Sequence, residues 1–79
     1  MRIDKYLKVS RLIKRRTVAN EACDAGKITV NGTPIKASYQ VKEGDIMEIT
    51  LGTKVTKVKV TNVSEHATKE TAGDMYEIM

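Results

Sequence analysis

The apolar positions of this chain change their period about a third of the way along. In "RIDKYLKVSRLI", Ile3, Tyr6 and Leu7 fall at i, i+3 and i+4, and Ser10 and Ile13 extend the row. That spacing predicts one face of a helix. Arg2, Lys5, Lys8 and Arg11 recur every third residue and drift slowly around another face of it. In "RTVANEACDAG", Val18, Ala19, Ala22 and Cys23 mark the inner face of a second helix, and Gly26 falls where a left-handed residue ends one. The small side chains of that face permit a close approach to a neighbour. Lys14, Arg15 and Arg16 lie at the junction of the two helices.

Beyond Gly26 the period is two. Ile28 and Val30 alternate with Lys27, Thr29 and Asn31, and Asn31-Gly32 signals a tight turn after a short strand. Pro34 has no N–H for a ladder, so it belongs to an edge or a loop. A second turn is expected at Gly44-Asp45. "IMEITL" then reads as a strand, Gly52-Thr53 as a hairpin turn, and "KVTKVKVTNV" as the returning strand with Val58 and Val60 inward. The polar stretch from Ser64 to Gly73 suggests a short helix or ordered loop, and "MYEI" a final strand. Two helices followed by a small, mostly antiparallel sheet define an α+β class. At 79 residues the chain is expected to form a single domain with a thin core.

Charge sharpens this picture. Residues 1–42 carry ten Lys/Arg against Asp4, Glu21 and Asp24, whereas residues 43–79 carry four Lys against seven acids. The net +4 therefore resolves into +7 and −3. Seven of the cations lie in the first sixteen residues. So one-sided a field suits a polyanionic partner. The single Cys fits a reducing compartment. The N-terminus lacks the apolar core of a signal peptide, and no run reaches the roughly 18 apolar residues of a membrane span. A cytoplasmic protein without a membrane partner is expected.

Catalytic chemistry finds little support. Cys23 sits on an apolar helix face and reads as a core thiol. His66, the only His, lies in a polar stretch and reads as a solvated side chain. One Cys and one His are too few to hold a metal, and no glycine-rich phosphate loop is present, so neither metal nor cofactor is expected and the chain reads as a non-enzyme. Glu43, Asp45 and Glu48 cluster around a turn and read as a solvated loop.

A basic amphipathic helix can be a solvated face, a membrane-surface helix or a nucleic-acid contact. The first segment is short and its apolar face is needed for the core, which disfavours the membrane. The scarcity of aromatic residues disfavours a base-stacking sheet. Structured nucleic acid bound through its backbone fits best. With about five phosphates contacted, log K would fall with log salt with a slope of about −4.

"RIDKYL", a basic junction containing Arg16, "AGKITVNG" and K-x-S-x-x-V-K-E-G-D occur in that order and together resemble the S4-type RNA-binding domain. They span about residues 2–50, leaving about 51–79 as a C-terminal extension of the sheet. "MRIDKYLKVSRLIKRRTVANE" and "DMYEI" further resemble the RqcP family, the stand-alone S4-domain proteins of bacterial ribosome-associated quality control. The small S4-domain heat-shock proteins are similar more distantly. The resemblance implies a non-catalytic factor that binds the large ribosomal subunit after a stalled ribosome splits. Its implied partners are 23S rRNA, P-site peptidyl-tRNA and RqcH, and its implied role is support of alanine tailing. A monomer is expected.

By the same resemblance, Arg2 and Arg16 are the first candidates for RNA contact, flanked by Lys5, Lys8, Arg11, Lys14 and Arg15. Lys27, Asn31, Lys36 and Ser38 match an RNA-facing hairpin, and Asp4 would orient a nearby cation. One departure concerns the second helix. Where many S4-type domains place a capping Ser or Thr, this chain has Arg15, which cannot cap. A general S4-domain factor for ribosome assembly or translation control remains an alternative, as does a protein–protein adaptor with an acidic partner.

Overall fold

The computed structural model describes residues 1–64 and 71–79. His66 and most of the segment expected as a short helix or loop lie outside the described residues. Two helices, α1 (Ile3–Val9) and α2 (Arg16–Asp24), precede strands β1 (Ile28–Val30), β2 (Thr33–Pro34), β3 (Ile46–Leu51), β4 (Lys54–Val60) and β5 (Tyr76–Ile78). The strands form one antiparallel sheet in the order β2-β1-β3-β4-β5.

Local chemistry accounts for most boundaries. Gly26 takes φ 75, and the N–H groups of Gly26 and Lys27 reach back to the carbonyls of Cys23 and Ala22. This is the paired hydrogen bonding of a Schellman end. Asn31 and Gly32 both take positive φ, 52 and 83, in the two-residue turn joining β1 to β2. A type I′ turn requires that at both positions. Pro34 lies in the short, exposed edge strand β2, where its missing N–H costs nothing.

The first helix is shorter than its apolar row. It ends at Val9, and Arg11 turns the chain with φ 65. Ile13 is still buried, but from the connecting loop, where its N–H bonds the carbonyl of Leu7 at 3.0 Å. Arg11 therefore sits past the helix end rather than on its basic face. On α2 the buried stripe is centred on Ala19, Ala22 and Cys23. Val18 lies at the margin of that stripe and remains 43% exposed, contrary to its expected place in the core.

The inward side chains of β1, β3 and β4 (Ile28, Val30, Met47, Ile49, Val58 and Val60) join Ile3, Tyr6, Leu7 and the small residues of α2 in one core. Burying each large member contributes about 1.5–3 kcal/mol. Tyr6 Oη donates to the carbonyl of Met75 at 2.6 Å, tying α1 to the turn Ala72–Met75 that leads into β5. On the opposite side of the sheet Glu48 faces Lys57, and Glu77 faces Lys59 across the ladder. Opposite charges paired this way stabilise a sheet modestly.

Candidate nucleic-acid interface

The start of α1 is held by a neighbouring loop. Ile3 N–H donates to the carbonyl of Tyr39 at 2.8 Å, Asp4 N–H to that of Ala37 at 3.4 Å, and Val41 N–H to that of Met1 at 3.0 Å. The helix thereby satisfies its leading N–H groups internally, as every helix start must by some route. Anion binding here falls to side chains.

Asp4 organises those side chains. It is a carboxylate only 2% exposed. It accepts from Lys5 N–H at 2.7 Å, Asn20 Nδ2 at 3.2 Å, Arg2 Nη2 at 3.2 Å and Arg16 Nη2 at 3.4 Å. Burial alone would raise its pKa. The Asn20 amide, the Lys5 N–H and the Arg16 and Arg2 guanidinium groups outweigh that and hold the carboxyl below its ordinary value. Asp4 is thus an anion at neutral pH, and each arginine keeps its outer part in solvent, at 46% and 48% exposure. The carboxylate anchors two guanidinium groups, one from the residue before α1 and one from the first residue of α2, with their remaining donors available.

The other candidates spread around this centre. Lys36 and Ser38 are exposed on either side of Ala37, whose carbonyl meets α1 and whose N–H donates to Asp24 Oδ1 at 3.4 Å. Lys8, Arg11, Lys14 and Arg15 are exposed along α1 and the connection to α2, and Lys5 is half-buried. Among the described residues no acid lies within ion-pair reach of Lys8, Arg11, Lys14 or Arg15. Lys27 is exposed at the opposite end of α2 from Arg16, about 14 Å away along a helix of this length. As expected, Arg15 precedes α2 without a side-chain cap.

Asn31 has an internal task. Its Oδ1 accepts from Ile46 N–H at 3.0 Å, and its Nδ2 donates to Asp45 Oδ1 at 3.4 Å. Asp45, expected in a solvated loop, is 8% exposed. Its other oxygen accepts from Tyr39 Oη at 2.9 Å and Lys42 N–H at 3.0 Å. The turn folds back onto β1 and so encloses the carboxylate. Burial and the neighbouring Asp45 raise the Tyr39 pKa. This network joins the β1–β2 turn to the loop that holds α1, so it sets the hairpin against the arginine centre. Asn20 was not singled out by the sequence, although it stands one helical turn after Arg16 on the same face. Cys23 is buried, and burial together with Asp4 and Asp24 pushes its thiol up to about 11, the behaviour of an inert core thiol.

Comparison with known proteins places this geometry in a family. The S4 domain family matches residues 1–47. An RQC P-site tRNA stabilizing factor of Halalkalibacterium halodurans is 56% identical over 78 residues, covering 99% of this chain and 89% of the relative. The protein of that name in Bacillus subtilis is 49% identical over 79 residues, covering 100% of this chain and 92% of the relative. The fold is similar to a trimeric structure of Vibrio cholerae Heat Shock Protein 15, with TM-score 0.92 and 25% identity over 100% of this chain and 81% of that one. With an S4 domain over its first 47 residues and relatives of about half identity along its whole length, the chain belongs to the family of RQC P-site tRNA stabilizing factors.

Proposed function

We propose that this protein is an RNA-binding factor of ribosome-associated quality control. It binds the large ribosomal subunit through 23S rRNA, holds peptidyl-tRNA in the P site, and thereby supports alanine tailing of the stalled chain by RqcH. The observation that carries this reading is the pair Arg2 and Arg16, preset on one buried carboxylate within an exposed basic face. Guanidinium groups held in this way reach phosphate oxygens with little loss of rotamer freedom. Lys8, Arg11, Lys14 and Arg15 add phosphate contacts along the same side, and Lys27, Lys36 and Ser38 extend it past α2. The role is that of a clamp: it places and retains tRNA and makes or breaks no bond.

The reading is tested by purifying the tagged protein from cells at low and high salt, with sequencing of bound RNA and sedimentation. Wild type is expected to bring down large-subunit rRNA with tRNA and little small-subunit rRNA, and Arg16→Ala to lose both. Recovery of a protein partner that survives nuclease treatment, with no RNA, would favour an adaptor with an acidic partner instead.

A further inference from the structure

A groove of about 330 Å³ opens beside the first turns of α2, lined by Asp4, Arg16, Thr17, Asn20 and Glu21. Its chemistry differs from that of the face around it. The surrounding surface is cationic, yet the lining holds one guanidinium and two carboxylates. A phosphate seated there would meet two like charges, one of them the buried Asp4. The spare hydrogen-bonding capacity is mixed as well. Asn20 spends its Nδ2 on Asp4 and keeps Oδ1 as an acceptor. The side chains of Thr17 and Glu21 have no hydrogen-bond or ion-pair partner among the described residues. Arg16 gives one Nη to Asp4 and leaves the rest of a planar cation 48% exposed.

A guanidinium plane beside hydrogen-bond acceptors is a setting that unpaired RNA bases use, stacking on the plane and bonding through their edges. We infer that this groove takes one unpaired nucleobase of the bound RNA and that Glu21 selects guanine. The groove has room for a single base laid beside Arg16. Guanine alone presents two adjacent donors, N1–H and N2–H, to one carboxylate. Adenine and cytosine offer a single amino group beside a ring acceptor, and uracil one N–H flanked by two carbonyl oxygens that a carboxylate repels. The phosphates on either side of the captured nucleotide then meet Arg2, which shares Asp4 with Arg16, and Arg15, next in the chain. This inference rests on the RNA-binding reading above, but it assigns a different task to a different residue: Arg2 and Arg16 supply affinity, and Glu21 supplies choice.

The experiment uses four hairpin RNAs that differ only in one bulged nucleotide, G, A, C or U. Affinities are measured at one salt concentration for wild type, Glu21→Ala and Arg16→Ala. Wild type is expected to bind the G hairpin about 10-fold tighter than the U hairpin, within the range for a paired edge contact. Glu21→Ala is expected to reduce that ratio below about twofold. Glu21 is exposed on a helix, so the variant folds, and its thermal melt is the control. Removing a negative charge by itself tightens all four RNAs equally. Equal affinities for wild type, with a uniform gain in Glu21→Ala, overturn the inference and leave Glu21 a solvated charge. Arg16→Ala separates the two failures. If it weakens all four while wild type shows no preference, RNA binding stands and the base site does not. If wild type binds none of the four, the RNA-binding reading fails and the base site with it.

Discussion

Asp4→Asn sets two physical effects against each other. The substitution deletes a negative charge from a basic face, raising the net charge by one unit above +4. For a phosphate about 8 Å away in water that gain is about 0.5 kcal/mol, and screening at physiological salt reduces it further. Against it stands the loss of the anchor. An Asn side chain can still accept from Lys5 N–H and Arg16 Nη2 through its oxygen, but its own NH2 would then face Arg2 Nη2 and Asn20 Nδ2, both donors. Arg2 would be released to solvent, and Arg16, left on a neutral oxygen without the charge attraction, would lose its fixed geometry. Each carries about 2 kcal/mol of rotamer entropy, and restoring half of that on binding costs about 2 kcal/mol for the pair, or roughly 30-fold in affinity. Orientation therefore outweighs charge, and the variant should bind structured RNA more weakly although it is more positive. Its salt slope should stay near the wild-type value, because the same phosphate contacts re-form in the complex.

The assay is fluorescence anisotropy with a structured RNA at several salt concentrations and at low temperature, where the variant remains folded. Losing charge-assisted bonds to half-exposed arginines should lower its stability by about 2 kcal/mol, or roughly 10 °C in Tm. Equal or tighter binding by Asp4→Asn would refute the argument, because Arg2 and Arg16 would then need no anchor. The pH dependence is an independent check. The folded Asp4 carboxyl titrates below its ordinary value of 3.8. Its stabilisation is complete above that value and is lost as pH falls through the lowered one. Wild type should lose stability below about pH 4, and Asp4→Asn should show a smaller loss over the same window.

Two further outcomes follow from local structure. Arg11 holds φ 65, which costs a residue with a Cβ about 1–2 kcal/mol that Gly avoids, against about 0.5–1 kcal/mol of extra chain entropy. Arg11→Gly should therefore leave Tm unchanged or raise it by a few degrees while slightly weakening RNA binding; a clear fall in Tm would mean that the side chain supports the fold. Cys23, with its thiol pushed up to about 11, has about 200-fold less thiolate at pH 8 than an ordinary cysteine. It should resist a thiol reagent until urea unfolds the chain, and rapid labelling of the native protein would contradict its burial.

Period and punctuation carried the element order, because each depends on neighbours in the chain. The helical rows at Ile3-Tyr6-Leu7 and Ala19-Ala22-Cys23, the left-handed stop at Gly26, the Asn31-Gly32 turn and the alternation through Met47, Ile49, Val58 and Val60 are local properties of L-residues and solvent. So was the concentration of cations in the first sixteen residues. Contacts across the fold were decided elsewhere. Ile13 continues an apolar row in sequence, but the chain has left the helix by then, and only the packing of the loop buries it. Asp45 reads as one of three acids near a turn, yet Asn31 and Tyr39, 14 and 6 residues away, enclose it. The meeting of Arg2, Asp4, Arg16 and Asn20 likewise needed α2 to lie against α1. A one-dimensional pattern states which side chains share a face of one element. It does not state which faces meet, because that depends on how the whole core closes, and the meeting of faces is what turns scattered cations into a site.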